Sequence, residues 1–184
     1  MSRPRCVMIA MSDNEISQHY KNYVLPTWKV RGWNVDLFEA VTPKTMGQYS
    51  YLNFGKKRGT IPFTDTEIAV WYSHVECWVL ARKEPVLIIE HDMLLNKDIP
   101  DNIFESDMAC LANHKGGKLA GGAYYLTPET AIKMVNDIKH TKEIRWNSDA
   151  TIHSWCDKVG IWSHDICTQY QDDNIGVTVV HNKK

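Results

Sequence analysis

The apolar run at residues 86–89 constrains the fold more than any other feature of this chain. The run follows Pro85 and ends in Glu90 without a polar break. A short continuous apolar run bounded in this way is typical of a strand that is covered on both faces in a parallel sheet. It therefore predicts an α/β domain with this strand at the centre of the sheet.

The rest of the chain alternates between predicted strands and helices, which favours a mixed, mostly parallel sheet flanked by helices. The predicted strands cover residues 5–11, 34–41, 86–90, 107–112, 120–126, 160–166 and 176–180. Helices are predicted at 13–31, 64–82 and 147–158, and a further helix is predicted to begin at Thr127. Residues 42–62 are predicted to form a loop or short irregular elements. Capping boxes at Ser12–Glu15 and Thr64–Glu67 are expected to start the first two helices.

Composition limits the classes of function. A chain of 184 residues fits a single domain, here residues 1–184, and its net charge of -1 excludes a global attraction to nucleic acid or anionic membranes. No apolar run approaches a membrane span, and the first 16 residues lack a signal-peptide core, so a cytoplasmic location is expected. The five scattered cysteines predict reduced, mostly buried thiols.

Two acidic residues, Glu90 and Asp92, follow the central strand in an acid-x-acid pattern. The carboxyl ends of parallel strands meet at the crevice where α/β proteins bind ligands. Such a pair suits Mg²⁺ or Mn²⁺, which takes further ligands from substrate phosphates. The alternative is structural: Asp92 binds amides of the turn and Glu90 forms an ion pair.

The helix before this strand, together with the strand's end, resembles glycosyltransferase family 25, the lipooligosaccharide and collagen galactosyltransferases. The shared pattern is a helix with Glu, Ser-His and Trp leading into an acidic strand end, here Glu67, Ser73-His74, Trp78 and Glu90-His91-Asp92. The resemblance continues along the chain in the opening strand at 5–11, in Phe38-Glu39-Ala40-Val41, in Gly121-Gly122-Ala-Tyr124-Tyr-Leu and in Asn147-Ser148-Asp149. The sequence departs from the family pattern at His91, where the family has an acid, and at Thr66, where it has glycine.

The resemblance implies a GT-A-like, Rossmann-like fold and transfer of galactose or glucose from a UDP-sugar to an acceptor hydroxyl, with inversion and help from Mn²⁺ or Mg²⁺. Asp92 is the first expected metal ligand, Glu90 a metal ligand or nucleoside contact, and His91 either an imidazole ligand or a side chain that points aside. Asp149 is the candidate general base, with an interaction with the dipole of its own helix as its alternative.

Further residues are expected to bind the nucleotide sugar. Glu67, Ser73 and His74 lie on the helix, although Glu67 has a capping role available and His74 a core role. Gly121 and Gly122 would let the backbone approach the donor. The late histidines His164 and His181 are candidates for the metal shell. Lys115, Lys118 and the basic run at 56–58 are candidates for binding the diphosphate.

Two other functions stay open at this point. One is a non-catalytic module that binds a nucleotide sugar or glycan, which the histidine at position 91 favours. The other is a metal-dependent phosphohydrolase or nuclease, for which only Asp172 and Asp173 offer further clustered carboxylates. The acceptor is also open among a glycan, a protein and a hydroxylated nucleic-acid base.

Overall fold

The computed structural model describes residues 3–49, 51–57, 60–114, 117–118, 121–141, 143–172 and 175. Within these ranges the strands are β1 (Arg5–Ala10), β2 (Val35–Glu39), β3 (Lys56–Lys57), β4 (Ile61–Pro62), β5 (Val86–Glu90), β6 (Met93–Leu95), β7 (Met108–His114), β8 (Gly117–Lys118), β9 (Ala123–Leu126) and β10 (Ile161–Gln169). The α-helices are α1 (Glu15–Lys29), α2 (Asp65–Ala81), α3 (Pro128–His140) and α4 (Ser148–Val159). Short 3-10 helices cover Met46–Gln48 and Asp101–Glu105.

One sheet organises the domain, with strand order β2-β1-β5-β9-β7-β10-β6 and β8 paired to β7. Along this path β2, β1, β5, β7 and β10 share one direction, whereas β9 and β6 run the opposite way. The mixed, mostly parallel α/β class predicted from the sequence is confirmed. The strand β5 lies inside the sheet between β1 and β9, as its apolar run predicts.

The two faces of β5 build two layers of core. Val86 and Ile88 pack with α2, α3 and α4, while Leu87 and Ile89 pack with α1. All four side chains are fully buried. Because successive strand residues point to opposite faces, this alternation also determines which side of the sheet receives each residue that follows the strand.

Helix α2 begins as predicted. The Thr64 hydroxyl accepts a hydrogen bond from the Glu67 amide, and the Glu67 carboxylate accepts one from the Thr64 amide, which completes the capping box. Pro128 likewise starts α3 behind a Thr127 cap, and Asn147 caps α4.

The predicted capping box at Ser12 is wrong. The cap of α1 is Asn14, whose side-chain oxygen accepts from the Ser17 amide, so α1 begins at Glu15. The Ser17 hydroxyl accepts in turn from the Met11 amide, and this bond fixes the chain between β1 and the helix. Pro26 lies within α1 without dividing it, and Gly32, at φ +75°, turns the chain after the helix.

Other differences lie after the acidic strand end. Strand β6 and the 3-10 helix Asp101–Glu105 are not predicted from the sequence, and β10 extends to Gln169. The predicted strand at 176–180 lies outside the described residues. All five cysteines are buried free thiols, as predicted. Among the described residues, no helix combines the length and the apolar character that a membrane crossing needs.

Candidate functional site

An open cleft of about 570 Å³ lies at the carboxyl ends of β1, β2 and β5. Residues from α2, the start of α4 and the segment at the end of β10 complete its walls. Its volume falls in the range of pockets that bind small molecules, about 300–1,000 Å³. The position is the one that open α/β sheets commonly use for ligands.

The fold brings together the site residues named from the sequence. Six of them border the cleft: Glu67, Ser73, His74, Glu90, His91 and Asp149. The other three, Gly121, Gly122 and Asp92, lie directly behind it and are hydrogen-bonded to residues that border it. The Gly122 carbonyl accepts from the Glu90 amide, and the Gly121 amide donates to Asp149. The Asp92 carboxylate accepts from Gln169. Candidates from distant segments of the sequence therefore meet in one place.

Glu90 points to the α2 side of the sheet and contacts His74. Its Oε1 lies 3.2 Å from His74 Nε2, and 27% of its side chain is exposed. Burial raises the pKa of Glu90, but the interactions with the neighbouring imidazoles, above all the hydrogen bond with His74, outweigh burial, so the net pKa is lowered. Glu90 therefore presents a charged carboxylate at the edge of the cleft.

Asp92 is a buried carboxylate with one unsatisfied oxygen. Its side chain accepts a 2.9 Å hydrogen bond from Gln169 Nε2 through Oδ2, while Oδ1 has no hydrogen-bond partner among the described residues. Burial, followed by the charge of Glu90, raises the pKa of Asp92 to about 7, and the charge of Asp149 adds to the effect. A buried oxygen without a partner is costly, so this carboxylate fits a site that a cation completes.

The protein itself supplies few ligands for such a cation. Among the residues that the structure describes, no group of three His, Cys, Asp or Glu side chains could hold a metal ion. A cation at Asp92 would therefore depend on oxygens from a bound substrate, which is the way proteins commonly bind Mg²⁺ beside phosphates.

His91 faces the other side of the strand, toward α1. Its ring lies 6.0 Å from that of Tyr20, measured between centroids, and it hydrogen-bonds to the Ile9 backbone. Burial lowers the pKa of His91. The charge of Glu90 and the hydrogen bond to the Ile9 backbone act in the opposite direction but are weaker, so the neutral imidazole is favoured. Its role as a metal ligand stays a prediction.

Asp149 lies in the first turn of α4 and is tied to the start of β9. Its Oδ1 accepts a 2.9 Å hydrogen bond from the Gly121 amide. A Cβ at position 121 would collide with that same oxygen, so glycine is needed there for the carboxylate to approach. The structure thus provides a local reason for glycine at position 121, in addition to the expected approach of the donor to the backbone.

Glu67 and Ser73 both have structural contacts. The Glu67 carboxylate is 2.6 and 2.8 Å from Lys57 Nζ and also caps α2 through Thr64. The buried Ser73 hydroxyl accepts from the Val41 amide and donates to the Ala69 carbonyl, which holds the end of the β2 segment against α2. Both residues border the cleft, and their predicted role in donor binding is not tested by these contacts.

Several sequence candidates fall outside what the structure describes. Arg58, Lys115 and His181 are not among the described residues, and neither are the side chains of Lys118 and His164. Asp173 of the proposed acidic pair is also outside them. Asp172 lies 3.5 Å from His19 Nε2, at the surface near α1.

Other cleft residues carried no signal in the sequence. Asn14, Tyr20, Thr42, Gln169 and Tyr170 border the cleft. Of these, Gln169 is the partner of Asp92, although 77 residues separate them in the chain. Only the sheet order, which places β10 beside β6, brings the two together.

No protein-family model matches the chain, and no curated protein matches it in sequence. Among solved structures, the chain is similar to a glycosyltransferase involved in glycosylation of the major capsid of PBCV-1, with a TM-score of 0.49 and 12% identity over 88% of this chain and 82% of that one. It is also similar to a protein assigned as a glucose-1-phosphate thymidylyltransferase from Bacillus anthracis, in complex with sucrose, with a TM-score of 0.42 and 12% identity over 90% and 87% of the two chains. The resemblance to family 25 itself stays a prediction.

Proposed function

We propose that the protein is a metal-assisted glycosyltransferase that moves galactose or glucose from a UDP-sugar to an acceptor hydroxyl with inversion. The observation that carries the proposal is Asp92, a buried carboxylate with an unpartnered oxygen behind the cleft and within electrostatic reach of Glu90 and Asp149. In addition to burial, the charges of Glu90 and Asp149 both raise the pKa of Asp92, and this repulsion among carboxylates favours a ligand that brings positive charge.

Asp92 would hold Mn²⁺ or Mg²⁺, with Glu90 as a second ligand or as a contact to the nucleoside. When bound, such an ion stabilises the negative charge that develops on a departing diphosphate. Gln169 fixes the orientation of Asp92 by donating to its Oδ2. Glu90 stays ionised through its contact with His74.

Asp149 is the group proposed to accept the proton of the attacking hydroxyl. It borders the cleft on the wall formed by α4, and its Oδ1 is oriented by the Gly121 amide. A carboxylate that is fixed in position at the cleft supports this role, because a general base must be held where it can reach its proton.

The test is a thermal-shift panel of UDP-, GDP- and TDP-sugars with and without MnCl₂, followed by measurement of UDP release. We expect stabilisation by a UDP-sugar that requires Mn²⁺ and is lost in Asp92→Ala, because a ligand that binds only the folded state raises the melting temperature. If no nucleotide stabilises the protein, the proposal is wrong. Stabilisation without any turnover would point instead to the non-catalytic binding module.

A further inference from the structure

A line of buried hydrogen bonds runs from the core to Glu90. Trp78 Nε1 donates to the Tyr124 hydroxyl at 2.8 Å, the Tyr124 hydroxyl lies 2.9 Å from His74 Nδ1, and His74 Nε2 lies 3.2 Å from Glu90 Oε1. Trp78 and Tyr124 are fully buried, and His74 is 1% exposed. Of the four residues, only His74 and Glu90 border the cleft.

The direction of each hydrogen bond follows from the first. An indole N–H can only donate, so the Tyr124 oxygen accepts from Trp78. The Tyr124 hydroxyl proton then has one available acceptor in the described part of the chain, His74 Nδ1. With Nδ1 accepting, the imidazole carries its proton on Nε2 and donates it to the Glu90 carboxylate.

The opposite arrangement leaves buried groups unsatisfied. If His74 Nδ1 carried the proton of a neutral ring, the Tyr124 oxygen would accept twice and its own proton would have no acceptor. The lone pair of Nε2 would also face the Glu90 carboxylate at 3.2 Å. Each defect costs free energy in a buried site, so only one neutral tautomer satisfies every contact.

We propose that His74 is a positioning residue, locked as its Nε2–H tautomer by Trp78 and Tyr124, which orients Glu90 for the metal-bound nucleotide. This inference rests on the proposed function for its ligand. Both ring nitrogens of His74 are used within the protein, so the proposed role of His74 is indirect and replaces a direct contact of its ring with the nucleotide sugar. Glu90 Oε2, which has no hydrogen bond within the described chain, is the oxygen left to face the ligand.

The tautomer is tested in the wild-type protein by long-range ¹H–¹⁵N NMR spectra of the histidine rings, without any ligand. We expect a protonated Nε2 and an unprotonated Nδ1 for His74, with its signal identified by its loss in His74→Gln. A proton on Nδ1, alone or in addition to Nε2, overturns the proposed lock. This readout does not depend on whether the protein binds a nucleotide.

The positioning role is tested by the affinity for UDP with MnCl₂ in Tyr124→Phe, measured by calorimetry. Residues that orient a metal ligand typically change affinity by about 10–100-fold, and we expect a loss of at least tenfold. Tyr125→Phe is the matched control, since the hydroxyl of this neighbouring buried tyrosine donates to the Phe104 carbonyl and does not connect to Glu90. Equal affinity in the two variants overturns the positioning role, while absence of UDP binding in the wild type counts against the proposed function alone.

Discussion

The carboxylate of Asp149 accepts a 2.9 Å hydrogen bond from the Gly121 amide, and it joins two segments that lie 28 residues apart. The contact links the first turn of α4 to the start of β9 at the edge of the cleft. The position of the Asp149 carboxylate therefore depends on the absence of a side chain at position 121.

Gly121→Ala should impair the proposed sugar transfer by moving Asp149. The new Cβ would collide with Asp149 Oδ1, so the carboxylate must leave its position. Small displacements of a catalytic group can cost about 100-fold in rate, and we expect a loss of that order in sugar transfer. The control is Gly47→Ala, where a Cβ meets nothing within 4 Å; similar rates for both variants would refute the link.

Asp149→Asn separates the structural from the catalytic role of this residue. Asparagine retains an oxygen for the Gly121 amide but cannot act as a base at neutral pH. We expect kcat to fall about 100-fold or more, with little change in melting temperature or in affinity for UDP. Asp65→Asn removes the matching first-turn charge from α2 at an exposed position, and an equal fall there would mean that only a helix-dipole effect is lost.

Asp92→Asn should change how stability depends on pH when metal is removed with EDTA. The folded-state pKa of Asp92 is about 7, above the ordinary value of 3.8, so the folded protein holds a proton that the unfolded chain has already released. The contribution of Asp92 to the free energy of unfolding should therefore fall as the pH rises from about 4 through 7. The change in the free energy of unfolding from pH 5 to pH 8, measured with urea, should be more negative for the wild type than for the variant. The same pH difference in both proteins would contradict the assignment.

Glu67→Gln tests whether this residue binds the donor or only the protein. Both oxygens are already used by Lys57 and Thr64, and glutamine at this position can still complete a capping box. Loss of the partly buried ion pair should lower the free energy of unfolding by about 0.5–1 kcal/mol, with UDP affinity unchanged. A tenfold weaker Kd for UDP at preserved stability would instead assign Glu67 to the nucleotide.

The sequence predicts those features of the fold that depend on neighbouring residues in the chain. The central position of β5 follows from its uninterrupted apolar run, and the start of α2 follows from the spacing of Thr64 and Glu67. The Ser12 cap failed because Asn14, two residues later, caps the helix instead: its side chain accepts from the Ser17 amide, and α1 begins at Glu15. Local patterns of this kind offer several compatible caps, and the contact between Ser17 and Met11 selects one of them.

The chemistry of the site depends on contacts that no local pattern encodes. His74 and Tyr124 are 50 residues apart, and Asp92 and Gln169 are 77 apart. Sequence identifies His74 as a polar residue of the helix before the central strand and Asp92 as an acid just after that strand, but it does not reveal which groups satisfy them. Only the order of the strands decides that His74 reaches a phenol and that one oxygen of Asp92 reaches an amide.

The antiparallel direction of β9 has a consequence for engineering. Because β9 runs against β5, the chain ahead of Ala123 arrives at the cleft, whereas the chain after Leu126 leaves on the far side of the sheet. Insertions placed between Gly121 and Ala123 would thus alter what can reach the cleft, while insertions behind Leu126 would not. A library that seeks new ligands belongs in the former segment, with α3 left unchanged.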